Sequence, residues 1–340
     1  MEIRHTKTIN EILESQWRNL VGDCNVEQSY RWYQVVEESK MRNMRYCTLW
    51  EGKTLRAAVC CHVHIPETFF TIPFLTAGSP LGLSSSFFSK SPEETILLMA
   101  GLDELSRDVK AKGFLLLDQT LDDLQRIKPQ LKGFSHFSML PNTFIDLNFA
   151  DFEDYLNSLE GKARRSVRVT LNRGRRLKVE TIVTNDFERW KETAHQLQEY
   201  TCKEHHTFIS YLTEEFYSAA EHHLKENAEL MLCLKEEIPL AFAFVLTTPD
   251  TVQYKFSGID PRYRDHQAYF LLYYEGIRRA IQQKKKRIYF GTTSYDFKEK
   301  IGCRREDHYG MVKMTSPVIN AGLRSFVALL RGLGIKELPL

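Results

Sequence analysis

Two groups of side chains in this sequence are of the type and spacing that chemistry would need. The first is a run of cations. From Lys162 to Lys178, eight of seventeen residues are Lys or Arg and none is Asp or Glu. The whole chain has a formal charge of only +2, so the remainder sums to −6 and the basicity is local. On a helix, Arg164 and Arg168 share a face with the turns that follow, while Val167 and Leu171 share another. No carboxylate at i+4 relieves the repulsion. This fits a site for phosphate groups, with Arg164, Arg165 and Arg168 as the candidate contacts; a solvated helix face is the alternative. The second is Lys298, which ends the hydroxyl-rich stretch Gly291-Thr-Thr-Ser-Tyr-Asp-Phe-Lys298. A cation fixed beside a reacting carbonyl stabilises oxyanion charge that exists only in the transition state. Tyr254, on a preceding strand, is a candidate hydrogen-bond donor or proton relay. The plain alternatives are a surface lysine and a core aromatic.

The elements that must position these residues are legible. Thr251 to Ser257 alternates as a strand, and Gly258 with Asp260-Pro261 turns the chain. Phe270, Tyr273, Tyr274, Ile277 and Ile281 then recur at helical spacing, and Arg287 to Phe290 returns as a second strand. A strand, a helix and a parallel strand form a crossover unit with a crevice where strand ends meet loops, which is where Lys298 would lie. The aromatic stripe on the helix reads as core.

Elsewhere the pattern makes two successive α/β units. The first runs through strands near 46–50, 55–65, 68–74 and 114–118, with a helix from Pro92 capped by Ser91. The second opens with a strand from Asn142, has helices near 151–158, 160–173, 187–204 and 213–226, and adds a meander of strands from 229 to 257. The expected organisation is a domain over 1–141, a second over 142–314 carrying the site, and an amphipathic helix and tail over 315–340.

Composition sets the class. A chain of 340 residues, 43% hydrophobic and 26% charged, is an ordinary globular protein with room for two cores. Seven cysteines with no Cys-x-x-Cys pair read as reduced thiols. With no apolar signal core and no run of membrane-spanning length, a cytoplasmic protein is expected. The histidines lack carboxylate or cysteine partners at ligand spacing, so no metal is expected. Neither a Ser-His-Asp constellation nor a Gly-Lys-Ser/Thr loop supports a hydrolase or P-loop reading.

The pattern Tyr254-x-Phe-x-Gly258-x-Asp260-Pro-x-Tyr263, then Tyr289-Phe-Gly, then Phe297-Lys298-x-x-x-Gly302, resembles the second half of the FemABX-like proteins of the GNAT acyltransferase superfamily. Leu159, Arg164 and Arg168 match their Leu-x-x-x-x-Arg-x-x-x-Arg segment. The resemblance implies an α/β (α+β) chain of tandem GNAT-like domains, the acyl-CoA N-acyltransferase fold, with mixed sheets flanked by helices. It places Lys298, Phe297 and Tyr254 at substrate-handling positions and makes His206 a candidate base before the substrate groove. Where a CoA-dependent GNAT enzyme has Arg/Gln-x-x-Gly-x-Gly/Ala, this chain has Arg264-Asp-His-Gln267-Ala-Tyr269. The arginine is kept as a phosphate contact, but side chains replace the glycines that would bare the backbone to a pyrophosphate.

The expected function is therefore N-acyl transfer from acyl-CoA or aminoacyl-tRNA, as co-substrate, to an amine on a cell-envelope or nucleotide-linked precursor, with no tightly bound cofactor. tRNA and a small-molecule or lipid-linked acceptor are the implied partners. The alternative is a non-catalytic anion-ligand or nucleic-acid binder that keeps the fold. The segment from Pro317 to Gly332 is apolar and basic without an acid, so it reads as either a core-covering helix or a helix lying on the inner membrane face.

Overall fold

The computed structural model describes residues 1–65, 72–206 and 211–332, with side chains to residue 329. The chain forms two compact units, Met1–Pro141 with Asp307–Leu340, and Asn142–Glu306.

Unit 1 starts with β1 (Glu2–Thr6), α1 (Glu14–Val21), α2 (Tyr30–Glu38), β2 (Met44–Glu51), β3 (Thr54–His64), β4 (Phe74–Ala77) and the short β5 (Phe87–Phe88). The expected strand over 68–74 lies mostly outside the described residues. Next comes α3 (Pro92–Asp108), whose Ser91 and Glu94 form a reciprocal capping box. β6 (Gly113–Gln119), α4 (Leu121–Ile127) and β7 (Ser135–Ser138) complete this part of the chain. β2 and β3 are buried on both faces; on one of them Cys47, Leu49, Ala57, Val59 and Cys61 pack against Leu98, Leu102 and Leu105 of α3.

Unit 2 comprises β8 (Asn142–Asp146), α5 (Phe152–Ser158), α6 (Gly161–Arg176), β9 (Glu180–Thr184), α7 (Phe187–His205) and α8 (Glu214–Leu224). It continues through β10 (Ala228–Lys235), β11 (Ile238–Thr247), β12 (Thr251–Ile259), α9 (Ala268–Gln282), β13 (Arg287–Gly291), α10 (Tyr295–Lys300) and β14 (Arg304–Glu306). Its sheet runs β14-β8-β13-β12-β11-β10-β9, antiparallel except for β12 and β13. Apolar residues of α9, including Leu271, Leu272, Ile277 and Ile281, pack on one face of this sheet. On α7 and α8, Phe187, Phe216 and Tyr217 make ring contacts with Phe242 and Phe244.

The chain then returns to unit 1. β15 (Tyr309–Met314) inserts between β6 and β7, and α11 (Pro317–Gly332) packs beside it. The expected second domain over 142–314 is thus corrected at its C-terminal end, and the helix is not a separate tail. The reason is pairing: among the described residues β7 has no strand neighbour but β15, which also bonds β6 over Tyr309 to Met314. The order of unit 1 is then β1-β2-β3-β4-β6-β15-β7. Each unit has one parallel pair, β4 with β6 and β12 with β13, bridged by one long helix.

Candidate functional site

The parallel pair of unit 2 opens partway along. Thr251, Val252 and Gln253 pair with Arg287, Ile288 and Tyr289, and the ladder stops there. Two irregularities cause the parting. The register of β12 against β11 shifts so that Lys255 is an extra residue, a bulge that bends the strand. β13 shifts register against β8 between Tyr289 and Gly291, leaving Phe290 out of that ladder as well. The result is a gap between strand ends with a backbone carbonyl, that of Phe290, at its edge.

Lys298 fills that position. The expected loop over 291–298 is shorter than anticipated, because α10 begins at Tyr295. Lys298 is therefore held on a helical turn, and it is 1% exposed instead of a surface lysine. Its Nζ donates to the Phe290 carbonyl at 2.5 Å. Burial without a carboxylate partner pushes its pKa down to about 8. The nearby Cys303 opposes that shift; its own thiol is pushed up to about 12 by burial. Its amide donates to the Lys298 carbonyl at 2.9 Å, which ties the end of α10.

Aromatic rings wall the gap. Tyr273 stacks on Phe290 with centroids 4.8 Å apart, and Phe297 packs edge-on against Phe270 and Tyr273 at 4.9 and 5.2 Å. Phe297 therefore fixes α10 against α9. The hydroxyls of Tyr269 and Tyr273 are 2.8 Å apart. Burial holds the Tyr269 phenol above its usual pKa, partly offset by hydrogen bonds with Tyr273, Ser257 and Ser294. The ends of β12, α9 and the turn before α10 are thus joined by one hydroxyl cluster beside the lysine. Sequence reasoning missed Tyr269, Ser257 and Ser294; the signal was the hydroxyl-rich run after Gly291, read as a loop without partners. Gln267 and Ser294, which precede α9 and α10, both have positive φ, 57° and 55°.

Tyr254 requires a correction. It is a core residue whose hydroxyl donates to the Leu272 carbonyl of α9 at 2.9 Å and lies against Gly276. Burial raises its pKa well above the tyrosine range. With the proton committed to a helix carbonyl, it is a positioning residue for α9 and β12. His206 is also not joined to the lysine by any described contact. It is an exposed cap at the end of α7, with φ 51°, next to residues outside the described set. His195, on α7, has a partner on each ring nitrogen. Its Nδ1 donates to the Leu212 carbonyl at 2.8 Å, so Nε2 accepts from the Tyr211 hydroxyl at 2.8 Å.

The loop from Asp260 to Gln267 is set by ion pairs. Asp260, held below its usual pKa by Arg262, takes both the backbone and the guanidinium of that residue. Arg264 pairs with Glu204 of α7, so its guanidinium is already engaged. α7 is brought close by Gly258: a Cβ there would lie 2.4 Å from the Leu197 backbone, so only glycine fits.

The cationic segment is α6, and its first turn carries no acid. Lys162, Arg164 and Arg165 stand at the positive end of the helix dipole, next to the N-cap residue Glu160. They line an open cleft of about 580 Å³ with Gly161, Arg168 and Asn172. Arg165 is exposed, and Arg164 reaches the Asn157 carbonyl at 3.3 Å. Arg168 is not unpaired as expected: it meets Glu153 of α5 at 2.7 Å. α6 is fastened to the site by Thr170, which donates to the Gln267 side chain at 2.8 Å at the start of α9.

In unit 1 the corresponding strand ends are filled by the chain itself. Trp32 Nε1 donates to the Pro80 carbonyl at 3.0 Å, and Ser85 bonds Gln119. Buried Glu27 accepts from the Leu83 amide and the Ser84 hydroxyl at 2.8 and 2.7 Å.

Residues 161–299 match the model of the Acetyltransferase (GNAT) domain. FemX is similar in structure, with TM-score 0.64 and 16% identity over 96% of this chain and 99% of that one. The C-terminal domain of a protein described as a lysylphosphatidylglycerol synthetase, from Agrobacterium fabrum, gives TM-score 0.57 at 14% identity, covering 93% and 95%. A tandem GNAT protein from the clavulanic acid biosynthesis pathway gives 0.55 at 11%, covering 93% and 99%. No curated protein sequence matches the chain. The chain thus carries an acyltransferase domain of the GNAT kind and has the tandem GNAT fold, as the sequence implied.

Proposed function

We propose that this GNAT acetyltransferase domain makes the chain an N-acyltransferase whose transfer site is the gap between β12 and β13. The observation that carries the reading is Lys298: a lysine buried without a carboxylate, bonded to the Phe290 carbonyl where β12 and β13 part. A buried, unpaired cation costs stability, and its position beside the gap matches the need of a developing oxyanion.

The acceptor amine, as free base, adds to the carbonyl carbon of the donor ester or thioester. The carbonyl electron pair moves onto oxygen, where the Lys298 ammonium stabilises it. Collapse re-forms the C=O bond and expels the thiolate or alkoxide, and the proton lost from nitrogen goes to the leaving group. The residues position reactants and stabilise charge; none acts as a nucleophile.

For the donor we propose acyl-CoA or aminoacyl-tRNA, and for the acceptor an amine on a cell-envelope or nucleotide-linked precursor. The α6 cleft, at Arg164, Arg165 and Arg168, supports a phosphate-bearing substrate. Native mass spectrometry with CoA thioesters, aminoacyl-tRNA and amine acceptors tests this. A product heavier by the acyl group supports transfer. An anionic ligand bound through α6, with no transfer from any donor, replaces the enzyme with the binder.

A further inference from the structure

A further open cleft of unit 2, about 850 Å³ in volume, lies at the other end of β13 from the transfer gap. Residues 287–289, roughly 10 Å of paired strand, separate the two. Five cations line the cleft: Arg175 of α6, Arg278 of α9, and Lys284, Lys285 and Lys286 of the turn before β13. Two of them are already matched. Arg278 meets Glu275 through bonds of 2.7 and 2.8 Å and lies over the Phe152 ring at 4.4 Å, and Lys286 meets Asp250 at 2.9 Å. The other three have no ion pair among the described residues. Arg175 reaches the Asn172 side chain at 3.5 Å, and Lys284 is exposed. Lys285 donates to two neutral groups, the Thr247 hydroxyl at 3.1 Å and the Thr248 carbonyl, and desolvation lowers its pKa from the usual lysine value. Of the two acids on the lining, Glu153 is taken by Arg168 at 2.7 Å. That leaves Asp151, whose side chain caps α5, against three uncompensated cations.

Cations near the last turn of a helix ordinarily offset its bare carbonyls. Here the backbone already does so. At the end of α6 the carbonyls of Arg173, Gly174 and Arg175 accept from the amides of Leu177, Val179 and Lys178. At the end of α9 those of Arg279, Ala280 and Ile281 accept from Gln283, Lys285 and Lys284. With both helix ends closed, the excess positive charge is left facing the cleft. We propose that the cleft binds the phosphate or pyrophosphate group of a small phosphorylated molecule, at a site distinct from the transfer gap and from the α6 cleft. The Arg175 guanidinium offers a planar fork to two oxygens, and the Lys284 and Lys285 ammoniums add point charges. Leu147, Phe149 and Ile281 supply an apolar wall for the rest of the ligand. A concave site of this size, part apolar and part charged, suits a small molecule better than an extended polyanion.

The inference is independent of the transfer chemistry, and its test reads binding alone. Inorganic pyrophosphate is titrated by calorimetry into the full chain carrying Arg164→Ala/Arg165→Ala. Those substitutions silence the α6 cleft and keep the Arg168–Glu153 pair. Binding at one site, weaker as salt is raised, is expected. Adding Arg175→Gln/Lys284→Gln, both at exposed positions, should leave the thermal transition in place. It should weaken pyrophosphate about tenfold or more, since two charge-assisted hydrogen bonds are lost. Three results overturn the proposal. One is no binding by the Arg164→Ala/Arg165→Ala chain. Another is an affinity that Arg175→Gln/Lys284→Gln leaves unchanged. The last is an oligonucleotide that binds wild type far more tightly than pyrophosphate does and is weakened equally by either pair of substitutions, which gives both clefts to one nucleic acid.

Discussion

Replacing Lys298 with Met separates function from stability, because the two should move in opposite directions. The Lys298 pKa stands at about 8 against the usual 10.5. At about 1.4 kcal/mol for each tenfold change in proton affinity, burying the charged form costs roughly 3 kcal/mol at neutral pH. Methionine removes that cost. It also removes the bond from Nζ to the Phe290 carbonyl, and a buried acceptor left unsatisfied costs about 1–3 kcal/mol. The variant should therefore be as stable as wild type at pH 7, or up to about 2 kcal/mol more stable. The unfolded chain binds more protons at this lysine than the folded one between pH 8 and 10.5. Wild-type stability should thus rise relative to the variant across that window. Turnover should fall about a hundred- to a thousandfold, the effect of losing one oxyanion donor, with acceptor KM little changed. In wild type, the rate should decline above pH 8 as the ammonium is lost, and the variant should lack that limb. Denaturant titrations at pH 7 and 9.5 and steady-state transfer rates measure all of this. A variant with full turnover, or one destabilised by several kcal/mol at pH 7, would refute the reasoning.

Three further outcomes follow from the geometry. Arg164→Ala/Arg165→Ala/Arg168→Ala should weaken substrate binding with an unchanged thermal midpoint, since the exposed Arg168–Glu153 pair is worth under about 1 kcal/mol; unchanged affinity by calorimetry would make α6 a solvated face. Tyr254→Phe should lower stability by about 1 kcal/mol through its bond to Leu272 and leave turnover near wild type; a loss of rate as large as that of Lys298→Met would restore it as a catalytic group. Gly276→Ala puts a Cβ 1.7 Å from the Tyr254 hydroxyl and should cost about 3 kcal/mol by chemical denaturation, part of it recovered in Gly276→Ala/Tyr254→Phe; additive losses would show that the two do not touch.

The region from Thr251 to Lys298 was legible because its signals are local: period-2 alternation, helical spacing and a Phe-Lys ending. What the sequence hid depends on partners far along the chain. Tyr309 to Met314 alternates well enough for either sheet, and only the empty place between β6 and β7 decides for unit 1. Arg168 looked unpaired because Glu153 sits fifteen residues earlier on another helix. In the sequence Tyr254 reads as a strand residue and Lys298 as the end of a loop, both near one crevice. Burial separates them, since the phenol has a backbone acceptor inside α9 whereas the ammonium stands where β12 and β13 part. Among the histidines, His206 was chosen by position, whereas His195, with both ring nitrogens bonded, has partners across a helix end.

The central claim is that the acyl group sits in the gap between β12 and β13. An acyl pantetheine thioester with a diazirine in the acyl chain, photolysed on the protein and mapped by peptide mass spectrometry, reads that location directly. Adducts within Phe256–Gly258 and Gly291–Lys298, competed away by an unlabelled acyl thioester, are the predicted result. Competed adducts confined to unit 1, or to α6 alone, would contradict it.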